Sequence, residues 1–169
     1  DVADELPDAF LTDLRNAVKK ENPDAFILGE VWENAAVKIA YGARRSYLSG
    51  FQLDSVMNYP FKNAVLDYVR TGDCTTLYNT VTEIGSLYPP QTVAVLMNLL
   101  GTHDTERILT ALGAEQGDYA LSNAQKASFR LSPEKREHAE RLLKLASTLQ
   151  FTLPGMPSIF YGDKAGMEG

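Results

Sequence analysis

Apolar residues in this chain follow two alternating rhythms. Phe10, Leu14 and Val18 recur at helical spacing, behind an acidic, proline-bearing start at Asp4-Glu5-Leu6-Pro7-Asp8 and ahead of Glu21-Asn22-Pro23. Ala25 to Val31 is then a continuous apolar run of strand length, the pattern of a strand buried on both faces. Asn34 to Tyr41 reads as a short helix or loop excursion closed by Gly42. Gly50 to Met57 predicts a second strand, stopped by Asn58-Tyr59-Pro60, and helices follow over 61–69 and 75–87. Thr92 to Leu100 predicts the third strand and is the plainest of the four. A helix over 105–112 and a polar stretch over 113–132 come next. Ser132-Pro133-Glu134 then caps a long amphipathic helix running to about Gln150, and Pro157 to Tyr161 predicts the last strand.

Helix and strand therefore alternate four times. Alternation of this kind implies a parallel sheet with right-handed crossovers. A spacing of roughly 30–40 residues per unit suits half of an eight-fold α/β barrel. The 169 residues are read as a single partial domain, 1–169, with no repeat or low-complexity segment.

Composition narrows the function. Lys and Arg number 16 against 22 Asp and Glu, a net charge of −6, with no basic stripe, which argues against a nucleic-acid partner. The single Cys74 rules out an intramolecular disulfide framework and a cysteine-rich zinc site. Two histidines far apart in sequence offer little to a transition metal, and no apolar run is long enough to span a membrane. The opening Asp1-Val-Ala-Asp-Glu has neither an initiator Met nor a signal-peptide pattern, so the chain reads as an excised segment.

The chemistry sits at two strand ends. Ala25-Phe-Ile-Leu-Gly-Glu30-Val-Trp32 delivers a carboxylate and an indole, and the third strand delivers Gly-Thr-His103-Asp104-Thr-Glu-Arg107. Apolar strands tipped with acids and aromatics are how a parallel barrel builds a carbohydrate-cleaving site on one rim.

Five segments, in order, resemble the second half of the catalytic barrel of glycoside hydrolase family 13, the α-amylase family. Asp1-Val-Ala-Asp-Glu is similar to the segment after barrel strand four, and Gly29-Glu30-Val-Trp32 to that of strand five. Leu53-Asp-Ser-Val-Met-Asn-Tyr-Pro-Phe61 resembles strand six of the neopullulanase and cyclomaltodextrinase group. Leu100-Gly-Thr-His103-Asp104 resembles strand seven, and Pro154-Gly-Met-Pro-Ser-Ile-Phe-Tyr-Gly-Asp163 strand eight. The resemblance covers nearly the whole chain. It departs from the family at Lys164, where an acid is usual, and in lacking the Arg two residues before Asp1.

The resemblance implies barrel strands five to eight and a retaining hydrolase of starch, pullulan or cyclodextrin-type glucans. Such chemistry passes through an oxocarbenium-like transition state and needs two carboxyl groups in different protonation states. The resemblance assigns attack to Asp1, proton donation to Glu30, charge stabilisation to Asp104 and a sugar-hydroxyl contact to His103. A donor at Glu30 needs its pKa raised, which its apolar neighbours favour. Trp32 and Tyr59 are open to two readings, as sugar platforms or as core plugs. Arg107 either orients the acids or makes a helix-start salt bridge, and Tyr161 is read as barrel packing. His138 belongs to a solvated face with i,i+4 ion pairs, Pro133 to Arg141.

A transglycosylase and a non-catalytic carbohydrate-binding relative are the alternatives. The partner expected is an α-glucan, with no nucleic acid and no membrane, and a homodimer through exposed strand edges. No cofactor is expected in this chain; calcium occurs in part of the family, on ligands largely outside this half. Half a rim is expected to be inactive on its own, since displacement of catalytic groups by ~1 Å can cost ~100-fold in rate.

Overall fold

A computed structural model describes residues 2–115 and 122–169. Its elements are α1 (Asp8–Glu21), β1 (Leu28–Gly29), β2 (Ile39–Ala40), β3 (Ala43–Arg44), β4 (Ser55–Val56), α2 (Tyr59–Thr71), α3 (Thr75–Leu87) and α4 (Pro90–Ala94). They continue with β5 (Met97–Leu99), α5 (Ile108–Gly113), α6 (Asn123–Ser128), α7 (Pro133–Thr152) and β6 (Met156–Ser158). Short 3-10 turns lie at Ala3–Glu5 and Asp163–Ala165.

Four strands run parallel in the order β1, β4, β5, β6. Leu28 and Gly29 pair with Ser55 and Val56, a bridge joins Met57 to Met97, and Met97, Asn98 and Leu99 pair with Met156, Pro157 and Ser158. Consecutive parallel strands with helical crossovers are the predicted pattern. The ladders are shorter than the apolar runs that encode them. Of Ala25 to Val31 only two residues pair, and β1 has a strand on one side alone among the described residues, leaving Phe26 exposed rather than buried.

Other differences have local causes. Thr92 opens no strand: with Pro89 and Pro90 fixing φ, the Thr92 and Val93 N–H groups bond to Pro89 O at 2.8 and 3.0 Å, so the segment turns into α4. Asn34 to Tyr41 forms neither helix nor loop throughout; it enters the antiparallel hairpin β2–β3, turned by Tyr41 (φ 53) and Gly42 (φ 76). The second strand is trimmed to β4 because Leu53 N–H bonds back to Tyr47 O at 3.0 Å. The helix expected from residue 105 starts at Ile108, because Thr102 to Thr105 closes a turn of its own. Within the polar stretch lies α6; residues 116–121 of that prediction are outside the described residues. Phe10 and Leu14 share the helix expected of them, but Leu11 is the residue of α1 that the core buries.

Two apolar clusters hold the layers. One joins α2, α5 and α7 through Phe61, Val65, Leu109, Ala139 and Ala146. Ala139 and Ala146 sit seven apart on one face of α7, and small residues there allow close helix approach. The other cluster joins α1 to β1 and β4 through Leu11, Val31, Tyr47, Val56 and Leu96. Between them Asn98, fully buried on β5, accepts from Asn58 Nδ2 at 2.9 Å and donates to Pro154 O at 2.9 Å, fixing the strand ends in register.

Candidate functional site

The segments that follow β1, β4 and β5 bring their polar residues together. Glu30 follows β1 and is 4% exposed. A Cβ at Gly29 before it would meet Leu53 Cδ1 at 2.3 Å, so a side chain there requires the buried Leu53 to move. The Glu30 carboxylate accepts the Val2 backbone N–H at 3.0 Å and the Tyr59 hydroxyl at 3.1 Å. Tyr59 is the first residue of α2, placed just past β4 by the Asn58 cap, whose side chain accepts the Phe61 N–H at 3.4 Å. Its ring lies flat against Trp32, centroids 4.1 Å apart at 11°, and its hydroxyl is 3.4 Å from Thr102 Oγ1.

Thr102 begins the turn beyond β5. Its N–H donates to Thr105 Oγ1 at 2.9 Å, and the Asp104 N–H donates to Thr102 Oγ1 at 3.2 Å. The turn holds His103 and Asp104 outward, His103 Nε2 3.2 Å from Asp104 Oδ2, with their side chains 62% and 45% exposed. Glu30, Tyr59, Thr102 and the Asp104 backbone are thus joined in one hydrogen-bonded row, with Trp32 stacked on Tyr59 and His103 beside Asp104.

The electrostatics differ from the sequence expectation. Burial pushes the Glu30 carboxyl up, but the Val2 N–H and the Tyr59 hydroxyl outweigh it and hold the pKa below the ordinary carboxylate value. Donors to a carboxylate favour its ionised form, and the sequence pattern of apolar neighbours did not reveal them. Burial also pushes the Tyr59 phenol up to about 12, so it stays a donor.

Trp32 is 44% exposed and offers one ring face outward, whereas Tyr59, at 1%, offers none and contributes its hydroxyl. Arg107 is not part of this cluster. Its guanidinium bonds to Tyr161 O, lies 3.5 Å from Asp163 Oδ1 and packs over the Phe160 and Tyr161 rings. That makes the salt-bridge reading the one the geometry favours, with Asp163 as the acid. Tyr161 itself is exposed apart from this contact. His138 lies exposed on α7, beside the pairs Arg136–Glu140 and Glu137–Arg141. Asp1 lies outside the described residues. Thr102 was missed by sequence reasoning, since a threonine in a turn carries no signal until its neighbours are placed. No three His, Cys, Asp or Glu side chains converge as a metal site among the described residues. Nor, among them, is any helix long and apolar enough to cross a membrane.

The family model for the α-amylase catalytic domain matches residues 5–169. A cyclomaltodextrinase from a Bacillus species is 36% identical over 171 residues, covering 100% of this chain and 25% of its own length. Neopullulanase 2 of Thermoactinomyces vulgaris is 37% identical, with coverage of 100% and 24%. Among solved structures, a cyclomaltodextrinase superposes with a TM-score of 0.74 at 37% identity, over 100% of this chain and 24% of that one. The cyclic α-maltosyl-(1→6)-maltose hydrolase of Arthrobacter globiformis, in complex with maltose, gives 0.76 at 26% identity, over 100% and 32%. The chain spans about a quarter of the length of the curated relatives named here.

Proposed function

This chain belongs to the α-amylase catalytic-domain family, whose catalytic domain is an eight-fold α/β barrel, and from that premise we propose that residues 1–169 form one side of such a barrel, strands five to eight, in a retaining α-glucan hydrolase. The substrates proposed are starch, pullulan or cyclodextrin-type glucans, in keeping with the names of the relatives. The observation that carries this reading is the mouth itself. A buried carboxylate and a half-exposed indole follow β1, the Tyr59 hydroxyl follows β4, and an outward His-Asp pair follows β5, three successive parallel strands.

In this reading Asp1 attacks the anomeric carbon and Glu30 exchanges the proton with the glycosidic oxygen and later with water. Asp104 stabilises developing positive charge, His103 donates to a hydroxyl of the same sugar, and Trp32 packs its free face on a neighbouring ring. Glu30 held ionised is the base form that the second half of a retaining cycle uses; the acid form for the first half needs a further negative charge close by, which an Asp1 carboxylate would supply. Arg107 acts on substrate only through the loop it anchors. One rim side is insufficient for turnover, and a second copy is the occupant proposed for the open strand edges.

Titration of ¹⁵N-labelled chain with maltotriose and β-cyclodextrin tests the site. Perturbations confined to Glu30, Trp32 and the 102–105 turn are expected. Saturable perturbations centred on another surface, or none at millimolar ligand, overturn the assignment. Cleavage of a chromogenic maltooligosaccharide by the chain alone, abolished by Glu30→Gln, would contradict the predicted inactivity while supporting the role of Glu30.

A further inference from the structure

At the mouth, four polar groups form a chain whose donors all point one way. Tyr59 has a single hydroxyl proton, and it goes to Glu30 Oε1 at 3.1 Å. Its oxygen, 3.4 Å from Thr102 Oγ1, therefore accepts from the threonine. Thr102 Oγ1 in turn accepts the Asp104 backbone N–H at 3.2 Å. Water has little access to the middle of this chain: Tyr59 is 1% exposed with Trp32 over its ring, and Thr102 is buried too.

We propose that Tyr59 is a positioning residue that couples the charge on Glu30 to the turn carrying His103 and Asp104, through hydroxyls passed from Glu30 to Thr102. The proposal rests on Glu30 being the acid/base of the reaction. An ionised Glu30 is the strongest acceptor the Tyr59 hydroxyl can find, and it polarises each donor behind it. When Glu30 takes up a proton it accepts more weakly and becomes a donor itself. The Tyr59 hydroxyl then swings to Thr102 Oγ1, the threonine's own proton rotates away from the Tyr59 oxygen, which now accepts from Glu30, and the Thr102 lone pairs are shared between Tyr59 and the Asp104 N–H. No proton leaves the chain; the hydroxyls reorient and the bond holding the turn weakens. The acid and base halves of a retaining cycle would thus meet His103 and Asp104 in two settings.

Other groups that act on Glu30 are the Val2 N–H and His103, while the Asp104 carboxylate acts on Tyr59. None of them depends on the Tyr59 hydroxyl, so Tyr59→Phe isolates it. The ring and its stack on Trp32 stay.

The test is an NMR titration of the full 169-residue chain, following the Glu30 side-chain ¹³C carboxyl and the Asp104 amide together. In the wild type the Asp104 amide is expected to titrate at the Glu30 midpoint. In Tyr59→Phe the Glu30 midpoint moves up, and the Asp104 amplitude at that midpoint falls by about half or more. In Thr102→Val the amplitude falls likewise while Glu30 keeps its Tyr59 donor. Near-UV circular dichroism selects whichever variant retains the native fold, and either one suffices. An unmoved Glu30 midpoint in Tyr59→Phe, or an Asp104 amide that still tracks Glu30 in a folded variant, overturns the coupling. Neither readout needs turnover, so a failure of the glucan-hydrolase reading shows separately, in the ligand titration.

Discussion

Single residues carry the site, and their legibility differs by kind. The positions of Glu30, His103 and Asp104 at strand ends were readable, because Glu30 follows β1 directly and the His-Asp pair lies in the turn just beyond β5, and position after a strand is a sequence property. The partners of Glu30 were not, because Val2 and Tyr59 approach from 28 and 29 residues away. Asp54 shows the same limit. Its carboxylate takes Arg15 at 2.8 Å, Lys19 at 3.0 Å and the Ile27 N–H at 2.9 Å, tying α1 to the entry of β1. Burial raises its pKa, but these partners together hold it below the ordinary carboxylate value. A depressed native pKa means that the stabilisation is complete above the unfolded-state value and fades as pH falls through the native one. Asp54→Ala is therefore expected to cost roughly 1–3 kcal/mol at pH 7, given that the carboxylate is only partly shielded. Urea midpoints should show that difference shrinking toward pH 3, and a deficit independent of pH would assign it to packing instead.

Elements were legible where ends are chemically marked. Ser132 accepts the Lys135 N–H at 3.3 Å and Pro133 occupies the first turn, so α7 begins where the sequence places it. Ser132→Ala is expected to lower stability by about 1 kcal/mol, read as a shift in the urea midpoint at unchanged slope. The strand lengths were illegible, because an apolar run records burial and not pairing. The run of Thr92 to Leu100 spends its first residues in a proline-seeded turn, and Gly50 to Met57 spends half of its length in a loop. Gly155, at φ 129 just before β6, marks a position where backbone space is essential: a Cβ would come within 2.6 Å of Asn98 Nδ2. Gly155→Ala should destabilise by roughly 2 kcal/mol or more, combining backbone strain with disruption of a buried amide network. A loss of Asn98 side-chain amide protection in hydrogen exchange is the matching local sign.

On the scale of the molecule, four parallel strands pair in one row, and among the described residues β1 and β6 do not pair to close it. Its outer flanks carry Phe10, Leu14 and Phe26 beside β1, and Phe151, Met156 and Ile159 beside β6, all exposed. Exposed apolar residues flanking parallel edges favour pairing with a matching surface. A second copy presents both flanks at once, so light scattering is expected to give twice the chain mass with dependence on concentration. A stable monomer at high concentration would remove this self-association. The alternation of elements announced parallel pairing from sequence, since strands separated by helices return in the same direction. Which flank meets which is not encoded in that alternation, because the exposed residues that decide it are scattered over α1, α7 and the segments around β1 and β6.

The chain holds one tryptophan, and it stands at the mouth with one face on Tyr59 and the other toward solvent. Its fluorescence is thus a native spectroscopic probe of that single place, with no labelling. A pyranose covering the open face should shift the emission to the blue, whereas loss of the Tyr59 stack on unfolding should shift it to the red. Occupancy and integrity of the mouth can be told apart in one cuvette.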